Sequence, residues 1–307
     1  MTSYDVLRRS ITLSDCWGYS LNSACATEPA ALAAMALAMQ ELEQDARRPA
    51  DWLRSLQQKD GSVGVSEQLP RPAWTTSLAM LAWWTLQRRF GGNHYDEAIA
   101  RATEWALAEK GLAAPQQAHI GHNTTLVGWS WAEDTHSWLE PTAFFVTALR
   151  VCGLPDHPRT EEGLLLIADR VLESGGCNYG NTVVLGQELL PHVQPTGIAM
   201  LALAGTPFNR QGVDASLEYL LRSLQPDTSA ISLCFGLMGL EAWGRKHPDA
   251  DSWLDDRFTG EAAAPASCHQ SALVLMAKFG FADWLIGQLA EVAEELAVEE
   301  PNEAAAR

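Results

Sequence analysis

The stretch GWSWAEDTHSWLEPTAFFVTALRVC, residues 128–152, changes character at its midpoint. Its first half gathers Trp129, Trp131 and Trp138 with Glu133, Asp134, His136 and Glu140, groups that exchange protons or bind metal. Its second half reads as a helix. Pro141 stands where a first turn tolerates proline, and Phe144, Phe145, Ala148 and Leu149 recur at helical spacing. A polar, aromatic loop thus runs into the N-terminus of an apolar helix, where unpaired backbone N–H groups and the helix dipole favour anions.

The same alternation recurs along the chain. After Thr27-Glu28-Pro29 comes AALAAMALAMQ, apolar around its circumference, as expected of a helix buried on all sides. An amphipathic helix follows over about 43–57, which Pro49 is expected to break or restart. After Trp74 the apolar TTSLAMLAWWTLQ is followed by the amphipathic YDEAIARATEWALAEK. The pattern predicts six mostly apolar helices, beginning near residues 29, 75, 141, 195, 230 and 268, interleaved with six amphipathic ones, of which ADWLIGQLAEVAEELAVEE is the last. The amphipathic anchors Trp52, Trp105, Val171 and Tyr219 recur about every 50 to 65 residues, the mark of a stacked or closed array of helix pairs. Apolar helices would line the inside and amphipathic ones the outside, and six pairs suffice to close a ring. An open solenoid of the HEAT kind is the alternative. The expectation is one all-α domain over residues 1–307, with 1–26 as an N-terminal extension and 301–307 as a frayed tail.

Bulk properties narrow the function. A chain of 307 residues with 47% hydrophobic and 19% charged residues buries a sizeable core. The net charge of -17 argues against nucleic acid and anionic membranes, because phosphate binding needs clustered Lys and Arg. No segment reaches the roughly 20 apolar residues of a transmembrane span, and the N-terminus lacks the apolar core of a secretory signal, so a cytoplasmic location is expected. The six cysteines show no CxxC spacing, which implies buried thiols rather than a disulfide framework or zinc ribbon.

Two stretches carry a resemblance. WLRSLQQKDGSVG (residues 52–64) resembles the Gln-and-Trp repeat of the terpenoid cyclase and protein prenyltransferase superfamily, with Val63 in the place of an aromatic residue. GGCNYGN (residues 175–181) is similar to that superfamily's GGWNYGN, with Cys177 in the place of Trp. Gly128–Trp131 and Leu224-Gln225 are weaker echoes, and the resemblance spans roughly residues 27–280. It implies an α/α toroid of six inner and six outer helices, in agreement with the helix count. In such a ring Gln57, Asp60, Gly61, Gly64, Asn178, Tyr179 and Gly180 read as structural: a Gln at an outer-helix end bonds orphan backbone groups of the next repeat, and glycines permit the reversal inward.

The resemblance also implies chemistry. The squalene-hopene cyclases protonate an alkene or epoxide with an Asp of an Asp-x-Asp-Asp motif, kept protonated by burial and neighbouring carboxylates. That motif is absent. Asp249, Asp251, Asp255 and Asp256 come nearest, in a polar segment. The substitute acid falls in AEDTHSWLE: Asp134 or Glu133 as the general acid, His136 as its partner, and Glu140 and Gln194 as polar groups at inner-helix mouths. Trp129, Trp131, Trp138, Tyr179 and Trp74 would line a hydrophobic cavity and face a carbocation, with Asn178 and His192 completing the substrate-binding set. The leading expectation is a non-standard terpene-cyclase-like enzyme, of the isomerase or lyase class, with an isoprenoid-like ligand and no cofactor. Two others stand beside it: an isoprenoid- or lipid-binding toroid without catalysis, and a zinc-dependent prenyltransferase β-like subunit with Asp134, Cys177, His192, Cys268 and His269 as ligands. Loop residues without tight spacing leave the metal set at none.

Overall fold

The computed structural model describes residues 4–20, 22–117, 119–208, 210–259 and 267–304. Six helices, α2 (Thr27–Met39), α4 (Thr75–Phe90), α6 (Leu139–Val151), α8 (Val193–Leu203), α10 (Ala230–Glu241) and α12 (Cys268–Lys278), form an inner ring. Each packs on the next, and α12 packs back on α2, so the ring closes and the open solenoid is excluded. Their composition explains their place. Every residue of α6 is buried, as is all of α2 from Pro29 to Ala38, so neither helix has a face to offer solvent.

The amphipathic helices α3 (Glu43–Leu56), α5 (Asp96–Ala108), α7 (Pro158–Asp169), α9 (Arg210–Ser223) and α11 (Ala250–Thr259) pack outside, and the molecule is an α/α toroid. Helix α3 carries Pro49 without interruption, contrary to the expected break. The sixth outer position is taken by α1 (Tyr4–Thr12), from the stretch read as an extension, which packs on α12 and α11. Helix α13 (Phe281–Ala304), expected as the last outer helix, instead contacts α6, α10 and α12 across the C-terminal end of the ring. Arg88, at the end of α4, donates to Gln288, Glu291 and Glu295 of α13 at 2.7–3.2 Å. Phe281, Leu285, Leu289 and Val292 form a buried stripe on α13, and such a stripe suits an outer helix and an end plug equally well. The helix runs through residues 301–304, and 305–307 lie outside the described residues.

The repeat joins the ring together as expected. The Gln57 amide donates to the carbonyls of Gly61 (3.0 Å) and Ala98 on the neighbouring α5 (2.8 Å). At Gly61, φ is +97° and an added Cβ would stand 2.1 Å from the Arg101 carbonyl oxygen, so only glycine fits. In three loops one residue enters the ring and donates its backbone N–H to a threonine of the following inner helix: Val63 to Thr76, Trp129 to Thr142 and Cys177 to Thr196. The loop after α7 carries a short hairpin, β1 (Val183–Val184) with β2 (Gln187–Glu188), around Leu185 and Gly186, both at positive φ as a type I′ turn requires.

Two sequence expectations fail here. Cys16 and Cys25 form a disulfide, whereas Cys177 and Cys234 are buried thiols. The centre of the ring, walled by Leu32, Leu78, Phe144, Ile198, Phe235 and Met276, holds a cavity of only about 30 Å³. That is the share of one water molecule, because large side chains meet at the axis and α13 closes one end. Among the described residues no single helix is long and apolar enough to cross a membrane.

Candidate active site at the N-terminal mouth of the inner ring

Four inner helices place a polar side chain at the same point, their second residue: Glu28 on α2, Glu140 on α6, Gln194 on α8 and His269 on α12. In α2, α6 and α8 the next residue is proline, which is pre-set for a first turn and has no N–H to leave unpaired. Because the inner helices share one direction around a closed ring, these side chains converge on one mouth. Gln194 donates to Glu140 Oε1 at 3.1 Å, and His269 Nε2 lies 3.3 Å from Glu28 Oε1.

The two carboxyl groups sit in different environments. Glu140 is 3% exposed, and burial, with the charge of Glu28 adding to it, pushes its carboxyl up to about 7, while the Gln194 bond works the other way. Glu28 is only partly buried and accepts a 2.6 Å bond from the Tyr19 hydroxyl at Oε2. Tyr19 comes from the loop that the Cys16–Cys25 disulfide closes, and its ring packs 5.2 Å from that of His269. On the Glu140 side, Leu139 donates its N–H to the Tyr179 carbonyl at 3.1 Å, which pins the Tyr179 loop to the start of α6. Tyr179 is 40% exposed; partial burial and the nearby Glu140 raise its hydroxyl, and its ring lies 5.2 Å from that of His192. A protonatable carboxyl and a second, better-solvated carboxylate thus share a mouth edged by two tyrosines.

Of the residues singled out from sequence, Glu140, Gln194, Tyr179 and His192 meet here. Glu133, Asp134 and His136 do not. All three are exposed on the loop between Trp129 and Trp138, and Asp134 occupies the left-handed region (φ 58°), which aspartate tolerates. His136 lines a separate depression with His122, Trp138 and Arg170, in which burial pushes His122 down to about 4. Trp129 is fully buried, donates to the Ala106 carbonyl and stacks on Phe145, so it is a core residue. Trp74 meets Trp131 edge-on at 4.7 Å and stacks on Phe144. Asn178 serves its own loop, donating to the Leu190 carbonyl and accepting from Tyr179 N–H. Asp251 and Asp255 pair with Lys278. Among the described residues no group of three or more His, Cys, Asp or Glu side chains is arranged to hold a metal, so Asp134, Cys177, His192, Cys268 and His269 do not form the zinc site considered above.

Glu28 and Tyr19 were missed, and His269 was considered only as a zinc ligand. A signal for Glu28 stands in the sequence, since Glu28-Pro29, Glu140-Pro141 and Gln194-Pro195 open three inner helices alike. Tyr19 reaches Glu28 from the disulfide-closed loop just before α2, which no motif marks, whereas the meeting of His269 with Glu28 requires the ring to close.

No family model and no curated protein matches the chain. Solved structures do. An α-amylase from Clostridium perfringens superposes with a TM-score of 0.60 at 10% identity, covering 91% of this chain and 96% of that one. Rex8A from Paenibacillus barcinonensis, complexed with xylose, gives 0.57 at 10% identity over 93% and 92% of the two chains. A reducing-end-xylose-releasing exo-oligoxylanase gives 0.54 at 11% identity over 90% and 86%. At these identities the likeness is one of fold.

The neighbours correct the resemblance drawn from the repeat. They are carbohydrate-active enzymes, not terpenoid cyclases or prenyltransferases, and the xylanase structures carry xylose rather than an isoprenoid. The terpene-cyclase-like isomerase or lyase, the isoprenoid-binding toroid and the prenyltransferase β-like subunit are all set aside, and the filled ring centre offers an isoprenoid no chamber. Of the residues that carried the resemblance, Gln57 and Gly61 join neighbouring helices and Asp60 forms its own turn, structural tasks that do not depend on the chemistry.

Proposed function

We propose that the chain is a glycoside hydrolase acting at the N-terminal mouth of the inner ring, with Glu140 as general acid and Glu28 as the second carboxylate. The observation that carries this reading is the pairing of a buried carboxyl raised to about 7 with a partly solvated carboxylate close enough to influence it. Two carboxyl groups whose environments divide them into acid and base are what glycosidic cleavage requires. Glu140 gives its proton to the glycosidic oxygen as the bond to the anomeric carbon breaks. Glu28 faces the positive charge that develops on the sugar and then assists water, directly or after attacking the anomeric carbon itself. Tyr19 and Tyr179 offer ring faces and hydroxyls to a pyranose, and His269 and the Tyr19 hydroxyl hold the Glu28 carboxylate in place. The fold shared with an α-amylase and xylo-oligosaccharide-releasing enzymes supports the substrate class.

The test is hydrolysis of xylo-oligosaccharides and malto-oligosaccharides followed by product chromatography. Glu140→Gln is expected to lower kcat by about 10²- to 10⁴-fold, the usual worth of a positioned acid, and Glu28→Gln to be comparably damaging. Absence of turnover across the panel, or wild-type turnover by folded Glu140→Gln, would end the proposal.

A further inference from the structure

A second cavity, of about 120 Å³, lies beside α4, α5 and the loop that precedes α6. None of Glu28, Glu140, Gln194 or His269 lines it, so it is distinct from the mouth described above. Its walls are aromatic, from Trp74, Trp105, Trp129 and Phe145, and its charged lining residues are Asp60, Glu109 and Glu133, with no Lys, Arg or His among the residues around it.

The carboxylates are unequally occupied. Asp60 Oδ1 accepts from the Ser62 backbone N–H and hydroxyl, which accounts for it as a turn-former. Glu109 and Glu133 make no side-chain ion pair among the described residues. Arg159 donates from one of its guanidinium nitrogens to the Glu109 backbone carbonyl and pairs with Glu162 at 3.0 Å. Its guanidinium also stands 4.3 Å from the centre of the Trp129 ring, so this wall already stacks one cation. Burial raises the Glu109 carboxyl, the charges of Glu133 and Asp134 raise it further, and Arg159 with a backbone bond offsets only part of that rise. Negative charge therefore exceeds positive charge beside the indole rings, because Arg159 balances Glu109 only in part and is itself paired with Glu162, and no Lys, Arg or His lines the cavity.

We propose that this cavity binds a small organic ammonium ion, held by the partly exposed indoles of Trp74 and Trp105 and by Glu109 and Glu133. An indole attracts a cation through the negative face of its π-system, and quaternary ammonium groups, which lack N–H donors, suit an aromatic wall with carboxylates at its edge. The volume equals the share of about four water molecules and so fits an ion of about four to six heavy atoms. A neutral molecule of the same size would gain the apolar contacts but leave both carboxylates uncompensated.

The experiment titrates tetramethylammonium chloride against the whole chain by tryptophan fluorescence, with sodium chloride at equal ionic strength and tert-butanol as the neutral counterpart. Saturable binding in the millimolar range or tighter is expected for tetramethylammonium alone, and about tenfold weaker binding for Glu109→Gln/Glu133→Gln. Glu133 is exposed, so Glu133→Gln leaves the packing intact, and on its own it is expected to weaken binding about threefold. Glu140→Gln is expected to bind as the wild type does, which separates this site from the hydrolytic one. Equal binding of tert-butanol, an equal response to sodium, or unchanged affinity in Glu109→Gln/Glu133→Gln would overturn the assignment.

Discussion

Replacing Glu140 by Gln tests the environment of the mouth without needing a substrate. The Glu140 carboxyl rises from its ordinary 4.5 to about 7 in the folded chain, chiefly through burial and then through the charge of Glu28. Below pH 4.5 the group is protonated in both folded and unfolded chains and affects neither. As pH rises toward 7 the unfolded chain ionises first, so the native state holds more protons and stability falls. Above pH 7 the full cost is present. At about 1.4 kcal/mol per pH unit, the interval amounts to about 3 kcal/mol. Gln keeps the shape and cannot ionise, so Glu140→Gln is expected to gain about 3 kcal/mol relative to wild type on going from pH 4 to pH 8. Urea unfolding of both proteins at the two pH values measures this. The subtraction also removes the contribution of Glu241, another buried carboxyl raised to about 7, which is present in both chains. A difference that stays constant with pH would refute the buried, protonatable Glu140 and with it the acid of the proposed reaction. Because Glu28 adds to the rise, Glu28→Gln should shrink the pH dependence, and in any hydrolysis assay it should move the alkaline limb of the residual rate to lower pH.

Three further outcomes follow from the packing. Gly61→Ala meets both a positive φ and the Arg101 carbonyl, so a loss of more than about 2 kcal/mol is expected in denaturant unfolding, and wild-type stability would show the turn to be wrongly described. Arg150 is buried and donates to the carbonyls of Ala202 (2.8 Å) and Ala204 (2.9 Å). Arg150→Met should therefore cost about 2–4 kcal/mol, and Arg150→Lys, lacking the fork, should recover less than half of that. Cys16→Ser/Cys25→Ser opens the loop that carries Tyr19, so a loss of about 2–3 kcal/mol is expected, together with weaker hydrolysis; identical unfolding curves with and without reductant would argue against the disulfide.

The sequence by itself settled the alternation of buried and amphipathic helices and favoured a ring, while its closure came from the packing of α12 on α2. Helices that are apolar around their whole circumference, such as α2 and α6, must be enclosed, and alternating them with amphipathic helices leaves two concentric layers as the natural arrangement. The start of each inner helix was legible to within two residues, since proline and the switch in periodicity mark it. Glu140 and Gln194 were placed at helix mouths for the same local reason. Tertiary structure alone decided the rest. The buried stripe of α13 is identical in kind to that of an outer helix, so only packing revealed that α1 completes the outer layer while α13 plugs the ring. Whether the axis is hollow depends on how side chains from six helices interdigitate, which no single helix records. The pairing of Glu28 with His269, 241 positions away in the chain, exists only because the last inner helix returns to the first, and the Tyr19 bond depends on how the disulfide loop folds over α2. Local pattern fixes what each helix must bury, but the chemistry of the mouth depends on which side chains closure brings face to face, and that is a property of the whole chain.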